Sequence, residues 1–198
     1  DRIDNLQQAE TFGEAADFIQ DKIGALHLPL IGAVQETSDL AVEAVRALTA
    51  KHALQIAEID ALVVVTQNPD GTGLPHTAAI VHQKLGMPNH VAAFDVSLGC
   101  SGYVYGLSIL KGLMEQAGFR NGVLVTADPY SRIINRENRI TSLLFGDAAT
   151  ATWLSEEPEW AFGRPLLETD GAGRESLYVD DCHELHMNGR QVFNFAAV

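Results

Sequence analysis

Val91-Ala92-Ala93-Phe94-Asp95-Val96-Ser97-Leu98-Gly99-Cys100-Ser101-Gly102-Tyr103-Val104-Tyr105-Gly106 decides the reading of this chain. Residues 91–96 form a nearly unbroken apolar run, as expected of a strand buried on both faces. From Tyr103 to about Ala117 apolar residues recur at helical spacing, and Gly118 closes the pattern. Between them lies a short turn of small residues around Cys100. Working outward, the same alternation repeats. Residues 61–66 read as a second buried strand. Asn68-Pro69-Asp70-Gly71-Thr72-Gly73 is turn chemistry, and residues 76–85 read as a helix stopped by Gly86 and Pro88. Upstream, Thr37-Ser38-Asp39 reads as an N-cap cluster before an amphipathic helix over residues 40–48. Downstream, residues 122–127 and 148–154 read as strands, separated by a polar segment, an apolar strand over residues 142–145 and a turn at Gly146-Asp147. Residues 15–23 show helical spacing, and a helix starts over residues 191–197. Strands alternating with helices predict an α/β fold with a parallel-rich sheet covered by helices.

Charge and composition narrow the function. The 198 residues carry 13 basic and 26 acidic side chains, a net charge of −13. A nucleic-acid binder shows a basic stripe, and none is present in the sequence. The same charge repels anionic membranes. The apolar runs fall far short of the ~20 residues that a membrane span needs, and the first residues lack a basic-then-apolar signal region. The two cysteines, Cys100 and Cys182, are too few for a disulfide scaffold. They are expected to be free thiols of a cytoplasmic protein.

Cys100 is the candidate nucleophile. It falls where a buried strand ends and a long helix begins, with Gly99 and Gly102 beside it. A helix N-terminus carries partial positive charge and free N–H groups, which favour an anion at that place. Flanking glycines permit a sharp turn that presents the sulfur. The competing interpretation is a small buried residue filling a tight strand-to-helix corner.

The other polar candidates point to less. Cys182 and His183 are adjacent on a loop-rich stretch, where neighbouring side chains point apart. Cys182, His183, Glu184 and His186 lack the paired spacing of a zinc site, so no metal is expected. His76, His82 and His90 read as surface or cap residues. Gly71-Thr72-Gly73 lacks the following Gly-Lys-Ser/Thr of a phosphate loop, and no dinucleotide fingerprint follows the first strand, which argues against a nucleotide-binding module. Asp147 is expected to hold backbone at its turn.

Several stretches together resemble one family. Residues 93–103 are similar to the active-site segment of 3-oxoacyl-ACP synthase III, an initiating condensing enzyme of the thiolase superfamily. Leu144-Phe145-Gly146-Asp147-Ala148-Ala149 resembles that family's FGDGAG segment, residues 60–66 match its first long strand, and Met187-Asn188-Gly189-Arg190-Gln191-Val192-Phe193 resembles the run that opens its second half. The resemblance implies a thiolase-like domain over residues 1–180 and the start of a second thiolase-like half over residues 181–198, with the family's catalytic His and Asn in that second half. It implies that Cys100 takes an acyl group from a thioester of CoA or acyl carrier protein and condenses it with a malonyl-type thioester, with no further cofactor. Phe18 falls where the family stacks an aromatic on the CoA adenine, Lys22 on a basic residue near its phosphates and Arg139 on the arginine covering the other adenine face. By the same resemblance Phe145 is expected to line the acyl pocket, and Leu74 falls on the loop residue that reaches across a homodimer to close it. Phe18 and Lys22 stand where the family usually has Trp and Arg, and Ala148 and Thr150 replace glycines. Two other readings remain at this stage: acyl transfer to an alcohol or amine without condensation, and a non-catalytic partner subunit.

Overall fold

The computed structural model describes residues 1–196. In chain order the elements are β1 (Arg2–Asp4), α1 (Asn5–Thr11), β2 (His27–Pro29), α2 (Thr37–His52), β3 (Ala61–Val65), α3 (Thr77–Leu85), β4 (Ala92–Val96), α4 (Gly102–Ala117), β5 (Asn121–Asp128), α5 (Arg139–Ser142), β6 (Ala148–Ser155), β7 (Leu177–Val179), β8 (Leu185–Met187) and α6 (Gly189–Ala196). They fall into two units. A sheet unit holds Ala33–Asp128 and Ala148–Leu167; a second unit holds Asp1–Gly32, Pro129–Asp147 and the chain from Glu168 onward.

The sheet unit is built on β3, whose five residues are all buried. β4 and β5 flank it, both parallel to it, with Val65 opposite Val96 on one side and Thr126 on the other. β6 runs antiparallel to β5, giving the order β4-β3-β5-β6. Both faces are apolar, so both must be covered. Leu62, Val64, Val123 and Val125 pack with Ala41, Val42 and Val45 of α2 and Val81 of α3. Val63, Val65 and Leu124 point the other way, against Leu110 and Met114 of α4. The parallel-rich, helix-covered sheet expected from the alternation is therefore present. Among the described residues, no helix is long and apolar enough to cross a membrane.

Close approach of α4 to this sheet depends on glycine. A Cβ on Gly106 would lie 2.7 Å from Leu124 Cδ1, and one on Gly122 would lie 2.7 Å from Met114 Sδ. A Cβ on Gly102 would run into the Val65 side chain. The glycine beside Cys100 is thus required by packing against β3, and Gly102 does not adopt the left-handed backbone.

Several elements differ from the sequence reading. α2 begins at Thr37, so Thr37-Ser38-Asp39 is its first turn; Glu36 is the N-cap, closed by a capping box in which the Glu36 N–H donates to Asp39 Oδ2 at 2.8 Å. Residues 142–145 are not a strand. Asn138 caps α5 by accepting from Ile140 N, and Phe145 N closes the following turn on Thr141 O at 3.1 Å. This turn buries Leu143 against Ala9 and Ile19.

In the second unit β1 pairs antiparallel with β2, and Asp4 caps α1 by accepting from Leu6 N and Gln7 N. The helical spacing over residues 15–23 becomes mostly a π-helical turn, Phe18–Ile23, ended by Gly24 in the left-handed conformation. Asn5 is fully buried, and its amide donates to Ala25 O and Leu143 O, which ties α5 to the start of the chain. β7 and β8 form an antiparallel hairpin before α6. The helix expected from residue 191 begins two residues earlier, and its end at residue 197 lies outside the described residues.

Candidate active site

Cys100 lies where the sequence places it, between the end of β4 and the start of α4. Leu98 N bonds back to Val96 O at 3.0 Å, and Gly102 N bonds to Gly99 O at 2.8 Å, which turns the chain sharply before the helix. Cys100 is exposed, so it does not fill a buried corner. Among the described residues, no group accepts from its backbone N–H. An exposed sulfur beside the N-terminus of a sixteen-residue helix, with a free N–H next to it, can bind an electrophilic carbonyl and stabilise the oxygen as it gains charge.

Asp95, five residues upstream, serves the neighbouring helix. Its two oxygens accept from Thr77 N and Ala78 N, each at 2.7 Å, and cap α3 from outside. α3 is preceded by an exposed arch over residues 71–76. Gly71 and Gly73 have φ of +56° and +86°, and Leu74 near its tip is 89% exposed. The base of the arch is held at Asp128, whose Oδ1 accepts from Thr66 Oγ1, Gln67 N, Asn68 N and Asn68 Nδ2 at 2.9–3.1 Å. Burial pushes the Asp128 carboxyl above its ordinary value, against the pull of these hydrogen bonds.

The second unit contains a cleft of about 600 Å3 lined by Phe18, Arg139, Ile140, Leu144, Met187 and Arg190, among others. The Arg139 guanidinium lies over the Phe18 ring, 5.9 Å from its centroid, and pairs with Glu14. Phe18 and Arg139 are thus brought together. Lys22, on the same π-helical turn as Phe18, is exposed and does not line the cleft. Phe145 stacks on Tyr130 with centroids 4.7 Å apart, in a cluster with Ile133, Ile134 and Leu185. Arg190 is a cleft cation that the sequence reading did not nominate. It sits inside the Met187–Phe193 run, and a single basic residue on an exposed helix start gives no signal of its own.

Asp147 holds backbone. Only 4% exposed, it accepts from Ser131 N at 2.7 Å, Ser131 Oγ at 2.5 Å and Ile31 N at 2.7 Å. Gly146 beside it leaves room for Pro29, which a Cβ would approach to 3.0 Å. His186 pairs with Asp180 at 2.8 Å and stacks on Tyr178, so its partners are not Cys182. Hydrogen bonds from Glu184 N and from His186 hold the Asp180 carboxyl below its ordinary value. His76 is the N-cap residue of α3 and His82 bonds Pro88 O, both in cap or loop roles. Among the described residues, no three His, Cys, Asp or Glu side chains converge on a metal position.

Comparison with known proteins decides the family. Residues 94–171, which include Cys100 and the Gly146-Asp147 turn, match the model of 3-Oxoacyl-[acyl-carrier-protein (ACP)] synthase III. The chain belongs to the synthase III family. A beta-ketoacyl-[acyl-carrier-protein] synthase III of Deinococcus deserti is 34% identical over 193 residues, which are 91% of this chain and 55% of that relative. The corresponding protein of Rhodospirillum rubrum is 34% identical over 98% of this chain and 64% of its own length. A crystal structure of a 3-oxoacyl-(acyl-carrier-protein) synthase III superposes with a TM-score of 0.90 at 33% identity, covering 98% of this chain and 66% of that one. The chain therefore spans between half and two-thirds of the length of the curated synthase III proteins it matches, and its fold is theirs over that length.

Proposed function

We propose that this chain supplies the acylating half of a condensing enzyme, with Cys100 as nucleophile. The observation that carries the proposal is the exposed Cys100 at the start of α4, whose own N–H has no acceptor among the described residues. The Cys100 thiolate attacks the carbonyl carbon of an acyl thioester. A new sulfur–acyl bond forms, the thioester bond breaks, and the CoA or carrier thiol leaves with a proton. A malonyl thioester on acyl carrier protein then loses CO2, and its carbanion attacks the acyl-cysteine carbonyl. A carbon–carbon bond forms, the cysteine–acyl bond breaks, and the thiolate is restored. The family resemblance assigns the decarboxylation to His and Asn of the second half. On this reading residues 1–180 are the first thiolase-like domain and residues 181–198 begin the second.

Phe18 and Arg139 hold the adenine end of an acyl-CoA donor, because an aromatic ring and a guanidinium that part from their 5.9 Å contact stack on the two faces of a purine. Lys22 meets its phosphates, and Phe145 lines the acyl pocket. Leu74 closes that pocket in the partner of a homodimer; its exposure at the tip of an arch and the position of β4 at the outer edge of the sheet both suit pairing with a second copy. Two free, exposed thiols fit a reducing cytoplasm.

The test is to supply the intact protein with an acyl-CoA and malonyl-acyl carrier protein and follow CO2 and product together. The expected result is one CO2 released per 3-oxoacyl carrier product. Acyl transfer to an alcohol or amine with no CO2 release would replace condensation by simple acyl transfer, and no transfer with any donor would contradict both.

A further inference from the structure

We propose that the buried Ser38–Asp70 pair, closed from the surface by Lys84, is the positioning device of the arch that carries Leu74, and that it sets which acyl chains the site accepts. The proposal rests on the reading that Leu74 closes an acyl pocket. Asp70 is 8% exposed and Ser38 fully buried. Asp70 Oδ1 accepts from Ser38 N at 2.8 Å and Oδ2 from Ser38 Oγ at 2.5 Å. Lys84, in the last turn of α3, donates to Ser38 Oγ at 2.7 Å and to Asp39 Oδ1 at 2.6 Å. Asp70 N donates to Thr77 Oγ1 at 3.2 Å, and Gly73 N closes on Asp70 O at 3.0 Å.

Helix capping explains only part of this investment. Asp70 Oδ1 takes the Ser38 N–H, a first-turn donor of α2 that the Glu36–Asp39 capping box leaves open, but the Ser38 Oγ bonds to Asp70 Oδ2 and from Lys84 lie outside any cap. A carboxylate taken out of water is costly unless its partners are fixed. What Asp70 fixes is its own stretch of chain, which runs directly into Gly71, Thr72, Gly73 and Leu74. Thr37 Oγ1 adds a second tie from α2 to the same stretch, at Asn68 O. With Asp128 below and Asp95 capping Thr77 at the far end, the arch is anchored at three aspartates while its tip stays exposed. A leucine presented on such a base holds one position and can act as a ruler; on a loose loop it could not.

The experiment measures Cys100 acylation rates by intact mass, in the whole protein, with CoA thioesters of graded chain length. The variants are Leu74→Ala, Lys84→Met and the double variant, with thermal midpoints recorded for each. Leu74→Ala should raise the long-to-short donor ratio, and Lys84→Met should move it in the same direction by about threefold or more, with the double variant no further shifted than Leu74→Ala alone. Lys84→Gln, which keeps a donor for Ser38 Oγ, should return the ratio to that of the wild type. Ser38→Ala repeats the test through a second side chain if Lys84→Met does not fold. A Lys84→Met protein with a lowered midpoint and an unchanged ratio overturns the proposal, as does a double variant whose shift is the product of the two. An unchanged ratio in Leu74→Ala removes the role of Leu74 itself, and the proposal with it.

Discussion

Arg139 lies over the face of Phe18 at 5.9 Å while its Nη1 pairs with Glu14, so one cleft guanidinium is held by both an aromatic ring and a carboxylate. Lys cannot reproduce both contacts. Arg139→Ala is expected to raise KM for acyl-CoA about tenfold, the scale of a cation–aromatic contact plus a lost charge, with a smaller effect on kcat. Arg139→Lys should recover only part of the loss. Steady-state kinetics with a fixed second substrate check this; an unchanged KM in Arg139→Ala would remove the adenine-binding role.

Gly106 faces Leu124 so closely that a methyl group must displace it. Gly106→Ala should destabilise the protein by about 1–3 kcal/mol through overpacking. Gly112, on the same helix with open space around the position of its Cβ, should tolerate Ala or gain from it. Urea unfolding of the two variants side by side separates packing from helix propensity.

These cases show where the sequence was informative. β3 is apolar at every position and buried at every position, so a strand buried on both faces could be read from its unbroken apolar run. Gly118 ended α4 as its type suggests. The turn of Cys100 was legible because a strand pattern meets a helix pattern there. The cleft was less so. Phe18 and Arg139 lie more than a hundred residues apart, and α5, only four residues long, gives no periodicity to read. The three-residue strands β1 and β2 are likewise too short to show alternation. The Ser38–Asp70 pair joins residues 32 positions apart, and no local pattern announces such a bond.

Asp128 makes stability depend on pH in an unusual direction for an acid. Its carboxyl is raised above the ordinary 3.8 by burial. Its contribution to stability is therefore complete below 3.8 and declines as pH rises through the folded value. Asp128→Asn keeps an oxygen to accept from Thr66, Gln67 and Asn68 and removes the buried charge. Unfolding free energies across a pH series should show that decline in the wild type and not in Asp128→Asn. A variant that is much less stable at neutral pH would show that the charge-assisted hydrogen bonds outweigh burial.

Ser142 is fully buried, and its Oγ has no hydrogen-bond partner among the described residues. An unpaired buried hydroxyl costs about 1–3 kcal/mol. Ser142→Ala should therefore stabilise the protein by about 1 kcal/mol. A loss of stability in chemical denaturation would mean that the hydroxyl finds a partner in solution.

The central claim is that Cys100 becomes acylated. The most direct measurement is the intact mass of the folded protein after exposure to a panel of acyl-CoAs, beside its Cys100→Ala form treated identically. The account predicts a gain of one acyl group in the wild type, removed by hydroxylamine and absent from Cys100→Ala. An equal gain in both proteins, or none in the wild type with any donor, would contradict it.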